Sequence, residues 1–465
     1  MTGLANSTQT FSDQGRDRAA SPGAPYLFVV LEAARPLAGG ARLRLDALDE
    51  IVIGRAPSRA VAFDTSEGRR RAVLGLPDAR VSGKHASISR TGVGWTLRDH
   101  GSRNGTFVDG RAIKTEILDG GCCFEVGSTT LCFHARLDAT EGDAFVESSA
   151  LPYADVGLAT LLPGRAAELD AFAKIAASDV PILLLGATGS GKEVAARAAH
   201  ALSGRRGPFV PVNCGALPET LLESQLFGHT KGAFSGATRD EVGLVRASHE
   251  GTLFLDEIGD MPRPSQVALL RVIQEREVTP VGETRPVPVD LRVVAATHQR
   301  VDALEGGGFR DDLYARLAGF TLRLPPLAER VEDLGLLVAS LLPRVAPRGA
   351  EALTLGPELA RAMVTHDWPM NVRELEQALR VTSVLAERGV MSLEHAPESL
   401  RAPRSSAPSA APDSPEDAAL RESLVDALRR HSGNVSRVAK ELERTRMQIH
   451  RWMKRLAIDP EDFRP

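Results

Sequence analysis

The sequence predicts three folded parts: an all-β sandwich, a doubly wound α/β domain with a helical tail, and an all-α C-terminal bundle. Its length of 465 residues exceeds what one hydrophobic core serves. Short apolar runs separated by Gly, Asn and Asp turns fill the first part, and apolar strands alternate with helix-period stretches in the middle. A Pro/Ser/Ala-rich stretch, which cannot bury a core, precedes the last helices.

These patterns divide the chain into six segments. From the N-terminus we expect a disordered segment at 1–25, the sandwich at 26–135, a linker at 136–157, the α/β domain with its helical tail at 158–398, a second linker at 399–417, and three short helices at 418–459.

The composition excludes several classes of protein. The chain carries 56 basic and 60 acidic residues, a net charge of −4, so any nucleic-acid contact must come from a local basic patch. The first 25 residues lack the basic start and apolar run of a signal peptide, and no apolar run is long enough to cross a bilayer. We therefore expect a cytoplasmic protein without membrane contact.

The four cysteines are expected to be reduced. They are Cys122, Cys123, Cys132 and Cys214; none is spaced as a metal pair, and an adjacent Cys-Cys is a poor disulfide framework. We expect all four to be small, buried hydrophobic side chains.

A phosphate-binding turn follows an apolar strand in PILLLGATGSGKE. Glycines at this spacing let backbone N–H groups surround a phosphate chain, and the lysine adds a charge for the outer phosphates. A chance glycine-rich turn is the alternative, but the strand before it and the helix after it favour a nucleotide site. We expect ATP to contact Gly186, Ala187, Thr188, Gly189, Ser190, Gly191, Lys192 and Glu193.

A second motif, GTLFLDEIGD, places two carboxylates at the end of a predicted strand. Nucleotide sites form at the carboxyl ends of strands in such sheets. Asp256 is suited to hold Mg²⁺ through water, and Glu257 to polarise the water that attacks the γ-phosphate. A solvated acidic turn is the alternative, and the preceding phosphate loop argues against it.

With these motifs, residues 158–398 resemble the sigma-54-dependent transcription activators, a branch of the AAA+ ATPases. The family commonly has Glu after the phosphate-loop lysine, as at Glu193. The resemblance implies that Asn213 restrains the catalytic glutamate until the partner is engaged. It also implies a hexameric ring, which can assemble from dimers, in which Arg310 and Arg316 reach the γ-phosphate of a neighbouring subunit.

The two nucleotide sensors of this family are matched with one substitution each. AATHQR places Thr297 in the first sensor, with His298 where the family has Asn. WPMNVRELEQAL matches the second sensor, in which Arg373 is expected to face the nucleotide and Met370 replaces the usual Gly. For a lone arginine a surface salt bridge is the alternative, and the match of the whole block outweighs it.

The stretch FGHTKGAFSGAT follows no helical or strand period, yet it carries an aromatic side chain between glycines. GAFSGA resembles the GAFTGA element with which the family grips sigma-54 at the ring pore. Glycines allow a tight excursion, and an exposed aromatic supplies an apolar contact. An ordinary surface loop is the alternative. The expected contact residues are Gly232, Ala233, Phe234, Ser235, Gly236 and Ala237, with Ser235 in place of the usual Thr.

The first folded part resembles the forkhead-associated (FHA) domain, a β-sandwich that binds phosphothreonine peptides. The resemblance rests on IVIGRA, RVSGKHASI and GSRNGTFVDG, in this order. A guanidinium with hydroxyl and amide donors suits a group with three acceptor oxygens. We expect His85 to hold the loops and Gly54 to form a turn, and a β-domain that only docks protein is the alternative. The expected phosphothreonine contacts are Arg55, Ser82, Arg103 and Asn104.

The C-terminal stretch is locally basic. Residues 429–455 hold 9 Lys/Arg and 2 Asp/Glu, which supplies the patch that the whole chain lacks. The stretch resembles the Fis-type helix-turn-helix that closes this activator family, with SGN capping its second helix; a small oligomerisation bundle is the alternative. Trp452 and Leu456 are expected in the core. The residues expected to face DNA are Thr445, Arg446, Gln448, His450 and Arg451.

Together the resemblances imply an ATP- and Mg²⁺-dependent activator that binds enhancer-like upstream DNA and opens promoters held by sigma-54 RNA polymerase. A phosphothreonine protein or peptide would regulate it through the first domain. Two alternatives remain: an AAA+ unfoldase or loader without a promoter role, and a phosphopeptide-binding scaffold with an inactive ATPase. The GAFSGA loop and the basic helices argue against the first, and the intact Lys192, Asp256 and Glu257 against the second.

Overall fold

The computed structural model describes residues 23–401 and 415–458, except 67, 93, 119, 139–141, 217, 300–307, 443, 445 and 457, and it also describes residue 463. The expectations for 1–22 and for most of the second linker lie outside these residues. No helix in the described part of the chain is both long enough and apolar enough to span a membrane.

The N-terminal part is a sandwich of two sheets, as predicted. One sheet has seven strands in the order β13-β2-β1-β12-β11-β8-β9, and the other has six in the order β10-β7-β6-β3-β5-β4. The strands are β1 (Ala24–Glu32), β2 (Ala41–Arg44), β3 (Glu50–Arg55), β4 (Ala60–Ser66), β5 (Arg69–Leu76), β6 (Ala86–Thr91), β7 (Gly94–Asp99), β8 (Thr106–Val108), β9 (Arg111–Ile113), β10 (Thr115–Leu118), β11 (Cys122–Val126), β12 (Thr129–Leu137) and β13 (Phe145–Glu147).

Strand β13 corrects the position of the first linker. It lies within 136–157 and pairs antiparallel with β2, from Phe145 opposite Leu43 to Glu147 opposite Ala41. The segment expected to be a plain linker therefore contributes an edge strand to the sandwich. A strand of three residues is too short for its side-chain pattern to be read from the sequence.

The middle part is the expected α/β domain. Its sheet has five parallel strands in the order β15-β16-β19-β14-β20. The strands of this part are β14 (Ile182–Leu185), β15 (Phe209–Asn213), β16 (Thr252–Asp256), β17 (Glu277–Val278), β18 (Val287–Pro288), β19 (Arg292–Thr297) and β20 (Phe320–Arg323). The helices are α1 (Pro163–Ala176), α2 (Lys192–Ser203), α3 (Glu219–Phe227), α4 (Leu244–Ala247), α5 (Arg263–Glu275) and α6 (Asp311–Leu317).

A helical lid follows the sheet. It contains α7 (Leu334–Val345), β21 (Thr354–Leu355), α8 (Pro357–Thr365), α9 (Asn371–Val384), β22 (Val390–Met391) and α10 (Glu398–Arg401). Its apolar side chains do not form a core of their own. They share one buried cluster with Tyr26, Phe28 and Val30 of β1, so the lid packs directly on the sandwich.

In the described part of the C-terminal region the helices are α11 (Pro415–Arg430), α12 (Val435–Glu441) and α13 (Arg446–Arg455). Helix α11 begins three residues before the expected boundary at 418. Asn434 caps α12 as expected, since its side chain accepts a hydrogen bond from Arg437 N at 3.2 Å. Leu456 is buried in the core of this bundle and Trp452 packs against it, as expected.

The cysteines differ from expectation in one respect. Cys123 and Cys132 lie directly opposite each other in β11 and β12, with Cα atoms 4.0 Å apart, and form a disulfide. Cys122 and Cys214 are free and buried. The expectation failed because it considered spacing along the chain, whereas a hairpin register brings residues nine apart face to face.

Candidate active site

The phosphate loop runs from the end of β14 into the first turn of α2. Gly189 and Gly191 have φ angles of +75° and +107°, which favour glycine. At Gly189 a side chain is also excluded by space, because a Cβ would lie 2.2 Å from the carbonyl oxygen of Met370. Lys192 begins α2, is only 7% exposed, and donates from Nζ to Gly186 O at 3.0 Å.

The loop suits a nucleoside triphosphate. Ser190 Oγ is buried and has no hydrogen-bond partner among the described residues, so a polar donor is left for a bound group. The loop also lies at the N-terminus of the 12-residue helix α2, where anions are favoured. Glu193 points elsewhere: its carboxylate accepts two hydrogen bonds from Arg197 one helical turn on, at 2.6 and 3.1 Å.

Two carboxylates stand beside the phosphate loop. Asp256 ends β16, and Glu257 follows it with a φ of +51°, a strained conformation typical of active sites. Glu257 Oε1 lies 3.3 Å from Lys192 Nζ, and Oε2 lies 2.6 Å from His298 Nδ1. Sequence and structure thus place the acid pair and the lysine in one cleft.

The two carboxylates are tuned in opposite directions. Burial raises the pKa of Asp256, and the neighbouring charge of Glu257 raises it further. Burial would also raise the pKa of Glu257, but the hydrogen bond from His298 and the charge of Lys192 outweigh it and lower that pKa. Glu257 is therefore held as a carboxylate at neutral pH.

Asp256 is the carboxylate whose position can be tested against the expected Mg²⁺ site. Among the described residues no three His, Cys, Asp or Glu side chains group as a metal site. Asp256 is half-buried at the sheet edge, beside the cleft where phosphates would bind. A magnesium ion held mainly by phosphates and water needs no more than this, so the donor set fits the ion.

Asn213 lies near the carboxylates but holds neither of them. In the parallel pair of strands β15 and β16, Asn213 lies opposite Asp256. Its Oδ1 accepts a hydrogen bond from Gly215 N at 3.0 Å. Among the described residues, the side-chain contacts of Glu257 are with Lys192 and His298, so the restraint expected from Asn213 stays a prediction.

Thr297 and Arg373, the residues expected to be sensors, both lie next to the phosphate loop. Thr297 is fully buried at the end of β19, next to β14, and its carbonyl accepts from Gly186 N at 3.2 Å. Arg373 lies in the first turn of α9, with its Cβ 3.1 Å from the position that a Cβ on Gly189 would take. Met370 has a φ of −98° and an exposed side chain, so this position does not require glycine.

Two lid residues that the sequence analysis did not single out bind the phosphate loop. Asn371 is buried with a φ of +55°; its Nδ2 donates to Thr188 O at 2.9 Å, and its Oδ1 accepts from Leu327 N at 2.8 Å. Arg330 donates to Ser190 O at 2.9 Å. Asn is one of the few non-glycine residues that tolerates positive φ, and this was the available signal at 371.

Arg310 and Arg316, the expected trans-acting arginines, lie at the two ends of the short helix α6. Arg310 precedes the helix and makes a two-pronged ion pair with Asp312, at 2.7 and 2.9 Å. Arg316 is exposed in the last turn. Both side chains reach the surface of the chain.

The GAFSGA loop is a tight turn with a partly supported aromatic. Gly232 N donates to Ala237 O at 2.9 Å, and Gly232 and Gly236 have φ angles of +83° and +109°. Phe234 is 40% exposed, and its ring packs on the His229 ring in a tilted arrangement, with a centroid distance of 4.9 Å and an interplanar angle of 59°. Ala237 is buried, so within this element the exposed residues centre on Phe234.

The loop edge of the sandwich collects the residues expected to bind phosphothreonine. Ser82 Oγ accepts from Arg103 N at 3.2 Å, Asn104 Nδ2 donates to Arg80 O at 2.7 Å, and Arg55 is exposed beside them, its N bonded to Ser82 O. These contacts bring the three separate loops together.

His85 and Gly54 support this edge. His85 is fully buried, accepts from Ser82 N at 3.1 Å, and lies 3.1 Å from Gly105 O through its other ring nitrogen. Gly54 was expected to form a turn, but it lies inside β3. Glycine is needed there because a Cβ would be 2.1 Å from Gly83 O.

The C-terminal residues expected to face DNA are only partly described. Thr445 lies outside the described residues, and so do the side chains of His450 and Arg451. Arg446 N donates to Gly120 O of the sandwich at 3.2 Å, and Gln448 lines a cleft of about 300 Å³ with Gly121. In this arrangement the start of α13 faces the sandwich.

Three family models match the chain. Residues 51–127 match the FHA domain, residues 164–323 the sigma-54 interaction domain, and residues 328–413 the AAA+ ATPase lid domain. The matches cover the loop edge, the nucleotide cleft and the lid described above.

Similar proteins are transcriptional regulators. The acetoin catabolism regulatory protein of Cupriavidus necator is 44% identical over 324 residues, 66% of this chain and 48% of that protein. The transcriptional regulatory protein GlrR of Escherichia coli is 41% identical over 297 residues, 62% and 66%. The sigma54-dependent transcriptional activator SfnR of Pseudomonas putida is 47% identical over 209 residues, 44% and 57%. The chain thus spans about half to two thirds of the length of these relatives.

Among solved structures, NtrX from Brucella abortus in complex with ADP is 30% identical, with a TM-score of 0.48, and the match covers 63% of this chain and 68% of that one. The family models give the assignment. The chain carries an FHA domain, a sigma-54 interaction domain of the AAA+ ATPase class and its lid, and it is a homologue of the sigma-54-dependent transcriptional activators.

Proposed function

We propose that this protein forms a ring, expected to be hexameric, that uses ATP hydrolysis to remodel sigma-54 RNA polymerase at promoters. The ring would act while bound to upstream DNA, and a phosphothreonine partner would regulate it. The observation that carries the proposal is the cleft in which Lys192, Asp256 and Glu257 meet below a lid bonded to the phosphate loop. This cleft has the parts that phosphoryl transfer to water needs, because that chemistry consists mainly of positioning and charge stabilisation.

Each part has a distinct task. The phosphate loop and Lys192 would bind the β- and γ-phosphates, and Asp256 would hold a magnesium ion, which would supply charge neutralisation there. Glu257 accepts the proton of the attacking water. Arg373 faces the nucleotide from the lid of its own subunit, and Arg310 and Arg316 complete the site of the next subunit. Hydrolysis would then depend on assembly.

Phe234 would be the contact with sigma-54. Its exposure, its glycine-flanked turn and its tilted ring contact with His229 support an apolar contact carried by a short, defined loop.

Open-complex formation on a sigma-54 promoter, measured beside ATP turnover, tests this function. We expect Phe234→Ala to turn over ATP and fail to open the promoter. The matched control is Phe63→Ala, since Phe63 is also exposed but lies on the sandwich. A Phe234→Ala protein that opens promoters at the normal rate would overturn the assignment of the loop. Turnover of ATP without any effect on sigma-54 promoters would instead support an unfoldase or loader.

Regulation by the FHA domain is supported by its contact with the lid. Strand β1 is apolar on both faces: Leu27 and Val29 enter the core of the sandwich, while Tyr26, Phe28 and Val30 enter the lid cluster. A strand at a domain surface normally alternates apolar and polar residues, so the run YLFVVL is explained by a second partner.

Polar contacts extend this interface toward the nucleotide. His134 Nε2 lies 2.6 Å from Glu332 Oε1, and both side chains are buried. The next residue, Asp333, accepts from Leu161 N at 2.7 Å and Thr160 Oγ1 at 2.8 Å, which fixes the chain entering α1. Arg330, three residues before Asp333, donates a hydrogen bond to Ser190 O in the phosphate loop. A shift of the sandwich on the lid would therefore change the geometry at Ser190.

The test is ATP turnover by the full chain with a phosphothreonine peptide and with its unphosphorylated form. We expect only the phosphorylated peptide to change turnover, and Arg55→Ala to abolish its effect while leaving basal turnover intact. Equal responses to both peptides would reduce the domain to a docking module.

DNA binding is proposed for the C-terminal helices, on the basis of their charge and helix pattern. Protection of upstream DNA from nuclease cleavage by the full chain tests this role. A chain lacking 415–465 is expected to give no protection, and unchanged protection would contradict the role.

A further inference from the structure

His298 makes the closest contact with the proposed general base. Its ring Nδ1 lies 2.6 Å from Glu257 Oε2, and its backbone N donates to the same oxygen at 3.2 Å. The ring is 48% exposed, so it is not buried as a packing residue. The residue therefore holds one oxygen of a catalytic carboxylate through two hydrogen bonds.

The two oxygens of Glu257 have different partners. Oε2 is held by His298, whereas Oε1 faces Lys192 Nζ at 3.3 Å. Lys192 is the cation that binds phosphates, and it is shared with Gly186 O. When phosphates draw the ammonium away, Oε1 loses its ion pair while Oε2 keeps both of its hydrogen bonds. One oxygen is then free to face water, in a fixed orientation.

The turn that carries His298 is itself fixed. Gln299 N donates to Thr297 Oγ1 at 3.0 Å, and Gln299 Nε2 donates to Asp260 Oδ1 at 3.0 Å. Thr297 is fully buried at the end of β19, so the backbone of 298 cannot drift. A carboxylate oriented by a fixed donor is held in the geometry that proton abstraction requires.

We propose that His298 is the positioning residue of Glu257: Nδ1–H fixes Oε2 so that Oε1 is directed at the attacking water. This inference rests on the proposed ATPase function. It requires hydrogen on Nδ1, because a carboxylate offers only acceptors. This hold orients the glutamate for catalysis and differs from the restraint expected of Asn213, which stays a prediction.

Three substitutions distinguish positioning from a general ion pair. The side-chain nitrogen of Asn occupies the place of His Nδ1, whereas the longer Gln places its nitrogen near the position of Nε2. We expect His298→Ala and His298→Gln to lower kcat roughly ten- to hundredfold with KM for ATP unchanged. We expect His298→Asn to restore most of kcat.

The measurement is steady-state ATP turnover by the full-length chain, with melting temperatures compared. His249→Ala is the control, because His249 is an exposed histidine of the same domain. Its Nδ1 accepts a hydrogen bond from Asp290 N, so its ring also has a polar partner. Normal kcat in His298→Ala, or rescue by Gln in place of Asn, would overturn the inference. A raised KM with a lowered melting temperature would show a structural role and also overturn it.

A second readout does not need turnover. In the full chain labelled with ¹⁵N-histidine, the Nδ1–H resonance of His298, identified by its loss in His298→Asn, should shift in Glu257→Gln. An unchanged resonance would overturn the inference. Absence of ATP hydrolysis by the unaltered chain would instead contradict the proposed function, so the two failures are distinguishable.

Discussion

The nucleotide cleft and the loop edge of the FHA domain both carry residues suited to phosphate, but they are built differently. In the cleft, Lys192 is 7% exposed and shares its charge with Glu257. At the loop edge, the Arg55 side chain is exposed, and its backbone N donates a hydrogen bond to Ser82 O. The buried site thus depends on the relative geometry of several charged groups. The exposed site depends on a few donors presented by a rigid frame.

The largest effect is expected where the geometry is most constrained. Glu257→Gln should keep ATP binding and lower turnover by about 10²–10⁴-fold, because the amide cannot accept the proton of the water. Turnover and binding of a labelled nucleotide check this. Glu275→Gln is the control: Glu275 is exposed at the C-terminal end of α5 and has no expected contact with the nucleotide, so turnover should stay near normal. Near-normal turnover in Glu257→Gln would remove that residue from the chemistry.

At the exposed edge the expected loss is smaller. Arg55→Ala should weaken binding of a phosphothreonine peptide roughly 10- to 100-fold, because one hydrogen bond to a charged group contributes about 1.5–3 kcal/mol. Calorimetric titration measures it. Arg111→Ala, at another exposed arginine of the domain, should leave the affinity unchanged. An equal loss in both variants would indicate general charge attraction rather than a site.

The frame under the exposed edge can be tested separately. Gly54→Ala would place a Cβ 2.1 Å from Gly83 O and should lower the free energy of unfolding of the sandwich by about 1–3 kcal/mol. Gly83→Ala is the matched control: its Cβ has nothing within 4 Å, so stability should be unchanged or slightly raised. Denaturant unfolding checks both. Equal stability in the two variants would show that the loops adapt.

The smallest effect is expected beside the second sensor. Met370 is 43% exposed and has a negative φ, so Met370→Gly restores the usual family residue and removes only a partly covered surface side chain. Stability should fall by about 1 kcal/mol or less, because glycine gains more freedom on unfolding. The KM for ATP should not change, and a marked change would show that the methionine side chain acts on the nucleotide.

Much of this could be predicted from sequence because the relevant signals are local. The phosphate loop, the DE pair and the FHA loops are contiguous motifs, and the structure gathers each set. What sequence did not provide depends on contacts across the fold: the hold of His298 on Glu257, the bonds of Asn371 and Arg330 to the phosphate loop, and the disulfide partner of Cys123. These depend on register and lid placement, which no short window of sequence contains.

Strand β1 has a practical consequence. Since Tyr26, Phe28 and Val30 complete the core around Leu334 and Val338, an isolated ATPase fragment beginning at 158 would present a bare apolar surface to solvent. Such a fragment is expected to aggregate or to associate through the lid. Its ATP turnover would then reflect this association as well as the properties of the nucleotide cleft. Gly335 shows how close the fit is, because a Cβ there would lie 2.1 Å from Val30 O. A fragment made for the study of the ATPase should therefore include the sandwich, so that β1 covers the lid.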